Sequence, residues 1–217
     1  MVKITLVDHG IGNILSVQRA FEYCGAQVMI SDNPQYIKNA DYLVLPGVGA
    51  FADGMRGLSE RGLVEAIIDF ASKERPFLGI CLGMQMMMEK SEEFGLHEGL
   101  GLIPGRVVRI PDQDVHGFRQ KIPHIGWNSL ELPREKENWN GTILEDIEIG
   151  ETVYFVHSFT AAPENLANRL ADTYYNGQLI SASVQSGSLY GCQFHPEKSG
   201  VTGLKIINNF IKQKVEP

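Results

Sequence analysis

The residue best suited to covalent chemistry is Cys81, in the run Pro76-Phe77-Leu78-Gly79-Ile80-Cys81-Leu82-Gly83-Met84-Gln85. An apolar stretch ends in the cysteine, glycines stand two residues before and two after it, and good helix formers follow over 84–90. This is the G-x-S-x-G nucleophile elbow with sulfur in place of oxygen: a strand feeds a helix through one tight turn that pushes the turn side chain out. Gly79 and Gly83 let the strand and helix backbones approach without a Cβ clash. The helix N-terminus behind Cys81 is expected to favour thiolate over thiol. The competing reading is a buried cysteine in a core strand, the commonest fate of a free Cys.

A cysteine nucleophile needs a base, and the base needs something to orient it. Gln193-Phe194-His195-Pro196-Glu197-Lys198 supplies both. His195 and Glu197 are two apart at a strand end, so both can point to one side. Glu197 then holds the imidazole while His195 faces Cys81, a triad recognised by roles rather than by order along the chain. A solvated strand end accounts for an isolated His-x-Glu equally simply. His9, His116 and His124 fall in loop-like segments, His97 in a glycine-rich turn, and His157 at a strand end with no carboxylate after it. No third ligand stands at metal spacing, and neither a metal nor a cofactor is expected. Acyl transfer also needs donors for a developing oxyanion. The N–H of Leu82 comes with the elbow. A second donor is expected from Pro46-Gly47-Val48-Gly49, whose glycines allow a peptide flip, although an ordinary turn would use the same residues.

The elements that must position these groups fit an α/β domain. Residues 3–8, 27–30, 41–45 and 76–80 read as short apolar strands of a mostly parallel sheet, alternating with helices over 14–24, 34–40 and the Leu63, Ala66, Ile67, Phe70 stripe. Asn13 is an N-cap candidate and Gly25 a helix stop. Past residue 100 turn signals come faster, and residues 106–110, 152–157, 167–174, 179–185 and 189–194 read as an additional antiparallel region. Residues 112–123 and 133–140 read as surface loops, and 201–212 as an amphipathic helix. At 217 residues the whole chain, 1–217, fits one domain.

Composition narrows the partners. The net charge of −7 leaves no basic footprint for nucleic acid or an anionic membrane, and no apolar run has the length of a span. The N-terminus reads as a strand, without a signal-peptide pattern. Cys24, Cys81 and Cys192 are odd in number and widely spaced, which argues for a reducing compartment and a cytoplasmic protein.

Together the elbow and the His-x-Glu pair resemble the class I glutamine amidotransferases, the triad glutaminases. The likeness runs from Asp8 to the final helix. Pro46 to Phe51, Pro123-His124-Ile125-Gly126-Trp127-Asn128, Val153-Tyr154-Phe155-Val156-His157-Ser158 and Gln193 to Gly200 narrow it to family members that work in histidine biosynthesis against a separate (β/α)₈ cyclase. The resemblance implies that Cys81 attacks the carboxamide of L-glutamine, and that His195, oriented by Glu197, protonates the departing ammonia. Val48 and Gly49, with Leu82, would serve the oxyanion; Gly47, Gln85, Ser158 and Phe159 would hold the glutamine. Asn13, Trp127 and Lys198 match positions that face the cyclase. His9 and Phe159 stand where the family usually has tyrosine. Two alternatives remain at this point: a paralogous subunit that feeds ammonia to a surface-polysaccharide sugar amidotransferase, and a non-catalytic scaffold.

Overall fold

The computed structural model describes residues 1–214. The first half alternates strands and helices: β1 (Lys3–Val7), α1 (Ile14–Tyr23), β2 (Gln27–Ser31), α2 (Pro34–Lys38), β3 (Tyr42–Gly47), α3 (Phe51–Glu60), α4 (Leu63–Ala71), β4 (Phe77–Cys81) and α5 (Leu82–Met86). Strands then dominate: β5 (Met88–Ser91), β6 (His97–Glu98), β7 (Ile103–Arg109), β8 (His124–Ser129), β9 (Thr152–His157), β10 (Phe159–Pro163), β11 (Arg169–Tyr175), β12 (Gln178–Ser186) and β13 (Leu189–Cys192), before α6 (Gly200–Ile211). No helix among the described residues is long and apolar enough to cross a membrane.

Seven strands form the central sheet in the order β11-β12-β13-β4-β3-β1-β2. The five from β13 to β2 are parallel, while β12 runs antiparallel to β13 and β11 to β12. The result is an α/β sheet with an antiparallel extension, as the sequence implied, except that β13, expected among the antiparallel strands, pairs with β4 in parallel and so belongs to the central run. Parallel strands are covered on both faces and therefore carry apolar residues at successive positions. Ile4, Leu6, Val44, Leu78 and Ile80 face a core closed by α1 and α6. Val7, Leu43, Leu45 and Phe77 face the opposite core, under α3 and α4. Smaller sheets, β10-β7-β5-β6 and the β8-β9 pair, complete the second half.

Several local expectations need correction. The helix expected over 84–90 ends at Met86, and Met88–Ser91 is a strand. The reason lies in the segment 99–103, which takes the carbonyls a longer helix would use: Leu100 N–H bonds Met86 O at 2.8 Å, and Leu102 N–H bonds Met87 O at 2.9 Å. α3, β8 and β10 went unread in the sequence. Asn13 does occupy the N-cap of α1, but its side chain accepts from the Ser16 hydroxyl at 2.9 Å rather than from a backbone N–H.

Candidate active site

The elbow forms where β4 meets α5. Cys81 sits at φ 53°, ψ −107°, a conformation that costs strain in a non-glycine residue and persists only where the surroundings enforce it. Close backbone contact enforces it here. A Cβ on Gly83 would lie 1.7 Å from Leu45 O, and one on Gly79 would lie 2.7 Å from Met84 N. The two glycines of the motif are therefore required by the approach of strand and helix. Since α5 spans five residues, only a short helix stands behind the sulfur.

His195 follows β13, the other parallel neighbour of β4. Its backbone is tied to β9: His195 N–H donates to Tyr154 O at 3.0 Å, while Ser199 Oγ accepts from Tyr154 N–H at 3.0 Å and donates to His195 O at 2.7 Å. His195 Nδ1 donates to Glu197 Oε1 at 2.8 Å, with both side chains almost wholly buried. That bond leaves Nε2 as the available nitrogen, buried and without a hydrogen-bond partner. Burial works to lower the imidazole pKa. The adjoining Cys81 and Glu197 side chains more than reverse this, and hold it at about 9.

Cys81 and His195 share one cavity of about 400 Å³, whose wall also includes Val48, Gly49, Leu82, Gln85, Ser158 and Phe159. Eight of the residues singled out from the sequence thus meet at one place, and Glu197 adjoins them through His195. Gly47 is not part of that wall; it lies opposite Cys81 in the β3–β4 register. Asn13, Trp127 and Lys198 lie away from the cavity and are exposed. They belong to neighbouring elements, because the Pro196–Lys198 turn packs on both α1 and β9, and Trp127 pairs with Tyr154 across β8–β9.

The sequence reading missed three contributors. Gln193 accepts from Gln85 Nε2 at 3.1 Å and directs its own amide at the Cys81 sulfur, 3.8 Å away. Its signal was present, since strand alternation puts Gln193 in phase with His195. Glu93 brings a carboxylate to the cavity and accepts from Phe51 N–H at 2.6 Å; nothing in the local sequence marks it. His157, passed over as a base, lines the cavity and donates from Nδ1 to Phe159 O at 2.7 Å, the same carbonyl that Gln85 Nε2 reaches at 3.0 Å. Burial pushes His157 down to about 3, so it supports the wall as a neutral ring.

The described geometry presents a thiol on an enforced turn, an imidazole oriented by a carboxylate, and a half-open cavity with amide and carboxylate groups. It is suited to attack on a small polar amide. Comparisons with known proteins agree. A family model described as "Glutamine amidotransferase class-I" matches residues 5–214. A protein of Legionella pneumophila (strain Lens) named "Imidazole glycerol phosphate synthase subunit HisH 1" is 56% identical over 212 residues, which cover 98% of this chain and 100% of that one. The subunit HisH of Syntrophotalea carbinolica is 46% identical, covering 95% and 98%. Among solved structures, PurLQS from Thermotoga maritima matches with a TM-score of 0.71 at 18% identity, covering 96% of this chain and 97% of that chain, which bears on the fold alone.

Proposed function

The chain belongs to the class I glutamine amidotransferase family, and from that premise we propose that it is the glutaminase subunit of imidazole glycerol phosphate synthase. The observation that carries this reading is the cavity that Cys81 and the Glu197-oriented His195 share, in a chain 56% identical to a protein named for that subunit. Cys81 attacks the carboxamide carbon of L-glutamine and forms a tetrahedral adduct. His195 Nε2 delivers a proton to the departing nitrogen, ammonia leaves, and a thioester remains. Water, activated by the now neutral His195, then releases glutamate and restores the thiol. Leu82 N–H and the Val48–Gly49 backbone receive the negative charge that develops on oxygen. Gln85 and the Ser158–Phe159 backbone hold the substrate, with Gly47 opposite Cys81 at the end of β3.

Free ammonia is mostly protonated near neutral pH and then no longer nucleophilic. A sealed route to its acceptor therefore favours a heterodimer. The partner we propose is a HisF-like (β/α)₈ cyclase docked on the face that carries Asn13, Trp127 and Lys198. Residues 1–217 act as one glutaminase domain, working in the cytoplasm. The test is to combine the chain with a histidine-pathway cyclase and supply either glutamine or ammonium. Product formed from glutamine supports the assignment. Glutamate released with product formed only from ammonium would move this chain to another acceptor.

A further inference from the structure

β3 reaches further toward the cavity than its neighbour β1 does. The pairing between them stops at Leu6 with Val44, while β3 continues to Gly47 alongside β4. Leu43 N–H bonds Pro76 O on the β4 side. Successive residues of a strand turn their backbone groups to opposite neighbours. The carbonyl of Pro46 therefore faces the side where β1 has already ended. Proline brings no N–H there, and its carbonyl still requires a donor. His9 supplies one from the segment that follows β1: its Nε2 donates to Pro46 O at 2.8 Å, from a residue only 1% exposed.

A carbonyl only accepts, so the ring proton is fixed on Nε2, and Nδ1 is left buried without a partner. Burial lowers the pKa of His9, which keeps the ring neutral with that single proton. The backbone that carries the ring is closely packed: a Cβ on Gly57 of α3 would lie 2.4 Å from the His9 carbonyl oxygen and 3.6 Å from its Nδ1, and one on Gly49 would lie 3.7 Å from Ile11 Cγ2. The 8–13 segment thus lies against the 46–49 segment, and His9 is the side chain that bonds across.

The geometry points to His9 as a positioning residue for the reaction: by holding the Pro46 carbonyl it anchors the near end of the Gly47–Gly49 segment, so that the donor which segment offers the oxyanion stays in register with Leu82. At the far end Glu93 holds Phe51 N–H, and peptide freedom is confined to the residues between the two anchors. The inference rests on the glutaminase reading above, because it concerns the oxyanion donor of that reaction.

The experiment compares His9→Phe and His9→Gln in the full chain, with and without the cyclase partner, by glutamate release. Phenylalanine keeps a ring but loses the donor, whereas the glutamine side-chain N–H₂ reaches about as far as imidazole Nε2. His9→Phe is expected to lose roughly 10² in kcat, the scale of a small misplacement of a reacting group, while KM stays within about twofold. His9→Gln should recover most of that loss. Equal losses in both variants, an unchanged His9→Phe, or a change confined to KM would overturn the inference. Should His9→Phe fail to fold, ¹⁵N NMR of histidine-labelled wild-type chain decides. It should show His9 protonated on Nε2 with Nδ1 bare across the neutral range; the opposite tautomer would mean that the Pro46 bond is not made. A wild-type chain that releases no glutamate under any condition refutes the proposed function, and the NMR result still decides whether His9 holds Pro46.

Discussion

β4 and β3 end side by side at the same cavity, with Cys81 opposite Gly47, but the segments that follow them are held very differently. After β4 the chain is buried from Cys81 through Met86, and the backbone of Gly83 is pressed against Leu45 O. After β3 the chain surfaces. Val48 and Gly49 are exposed, and Gly49 sits at φ +104° with only the Ile11 methyl group within 4 Å of a Cβ placed on it. In the proposed mechanism one oxyanion donor therefore belongs to a tightly packed site, and the other to a segment with room to rotate a peptide. Packing, rather than hydrogen-bond chemistry, separates a fixed half-site from an adjustable one. A glutaminase coupled to a partner needs one of each, since turnover without an acceptor would release ammonia to water.

The largest effects should come from the fixed side. Cys81→Ala is expected to lower glutamine hydrolysis by at least ~10⁴, on the scale of nucleophile loss in other triads, while ammonium-driven synthesis by the complex is unchanged. Gly83→Ala should be poorly folded, because its Cβ would need the Leu45 carbonyl to move, and buried overpacking costs about 1–3 kcal/mol or more. A urea titration would read this directly. A Gly83→Ala chain as stable as wild type would mean that the elbow yields, and the contrast between the two strand ends would fail.

Next in size are the groups that serve the sulfur. His195→Ala should approach the Cys81→Ala loss, and Glu197→Gln should retain roughly 10² more activity, because in the proposed mechanism the carboxylate orients the ring and stabilises its charge while the ring transfers the proton. Steady-state glutamate release measures both. The same pair leaves a signature in stability. The pKa of His195 is raised to about 9 in the folded chain, from 6.5. Its contribution to stability is then fully present below about pH 6.5, and is lost as pH rises from there through about 9. Unfolding midpoints of wild type and His195→Ala should converge across that window. In Cys81→Ala the window should narrow from above, since one of the groups that raises the imidazole is gone.

Much of this was legible in the sequence because it is local. The elbow, the His-x-Glu pair and the alternation of β1 to β4 are set by residues a few positions apart, and short-range sterics and period-two burial dictate them. What was missed depends on distant chain. The end of α5 at Met86 is fixed by residues 99–103, which remove its carbonyls. The place of Glu93 in the cavity is fixed by Phe51, 42 residues away. The bond from His9 to Pro46 follows from where β1 stops relative to β3, a register that neither segment reveals by itself.

The smallest effects should come from the adjustable side, and they should appear only in the coupled state. Gly49→Ala places a side chain at a positive φ that glycine alone takes readily. It is expected to leave the slow turnover of the chain alone nearly unchanged, and to cut the partner-stimulated rate about tenfold, part of the 10²–10³ that one oxyanion donor is worth. Equal loss in both states would make Gly49 a plain structural turn.

The most direct measurement of the whole account is glutamate release under three conditions: the chain alone, the chain with empty cyclase, and the chain with cyclase carrying an acceptor analogue. A partner can bias the Gly47–Gly49 peptides only if its ligand-bound state contacts this chain differently from its empty state. Slow turnover is therefore expected in the first two conditions, and a rise of roughly 10²–10³ in the third, as the second donor comes into place. Equal turnover in all three would contradict it, and would leave a constitutive glutaminase whose two strand ends are equally fixed.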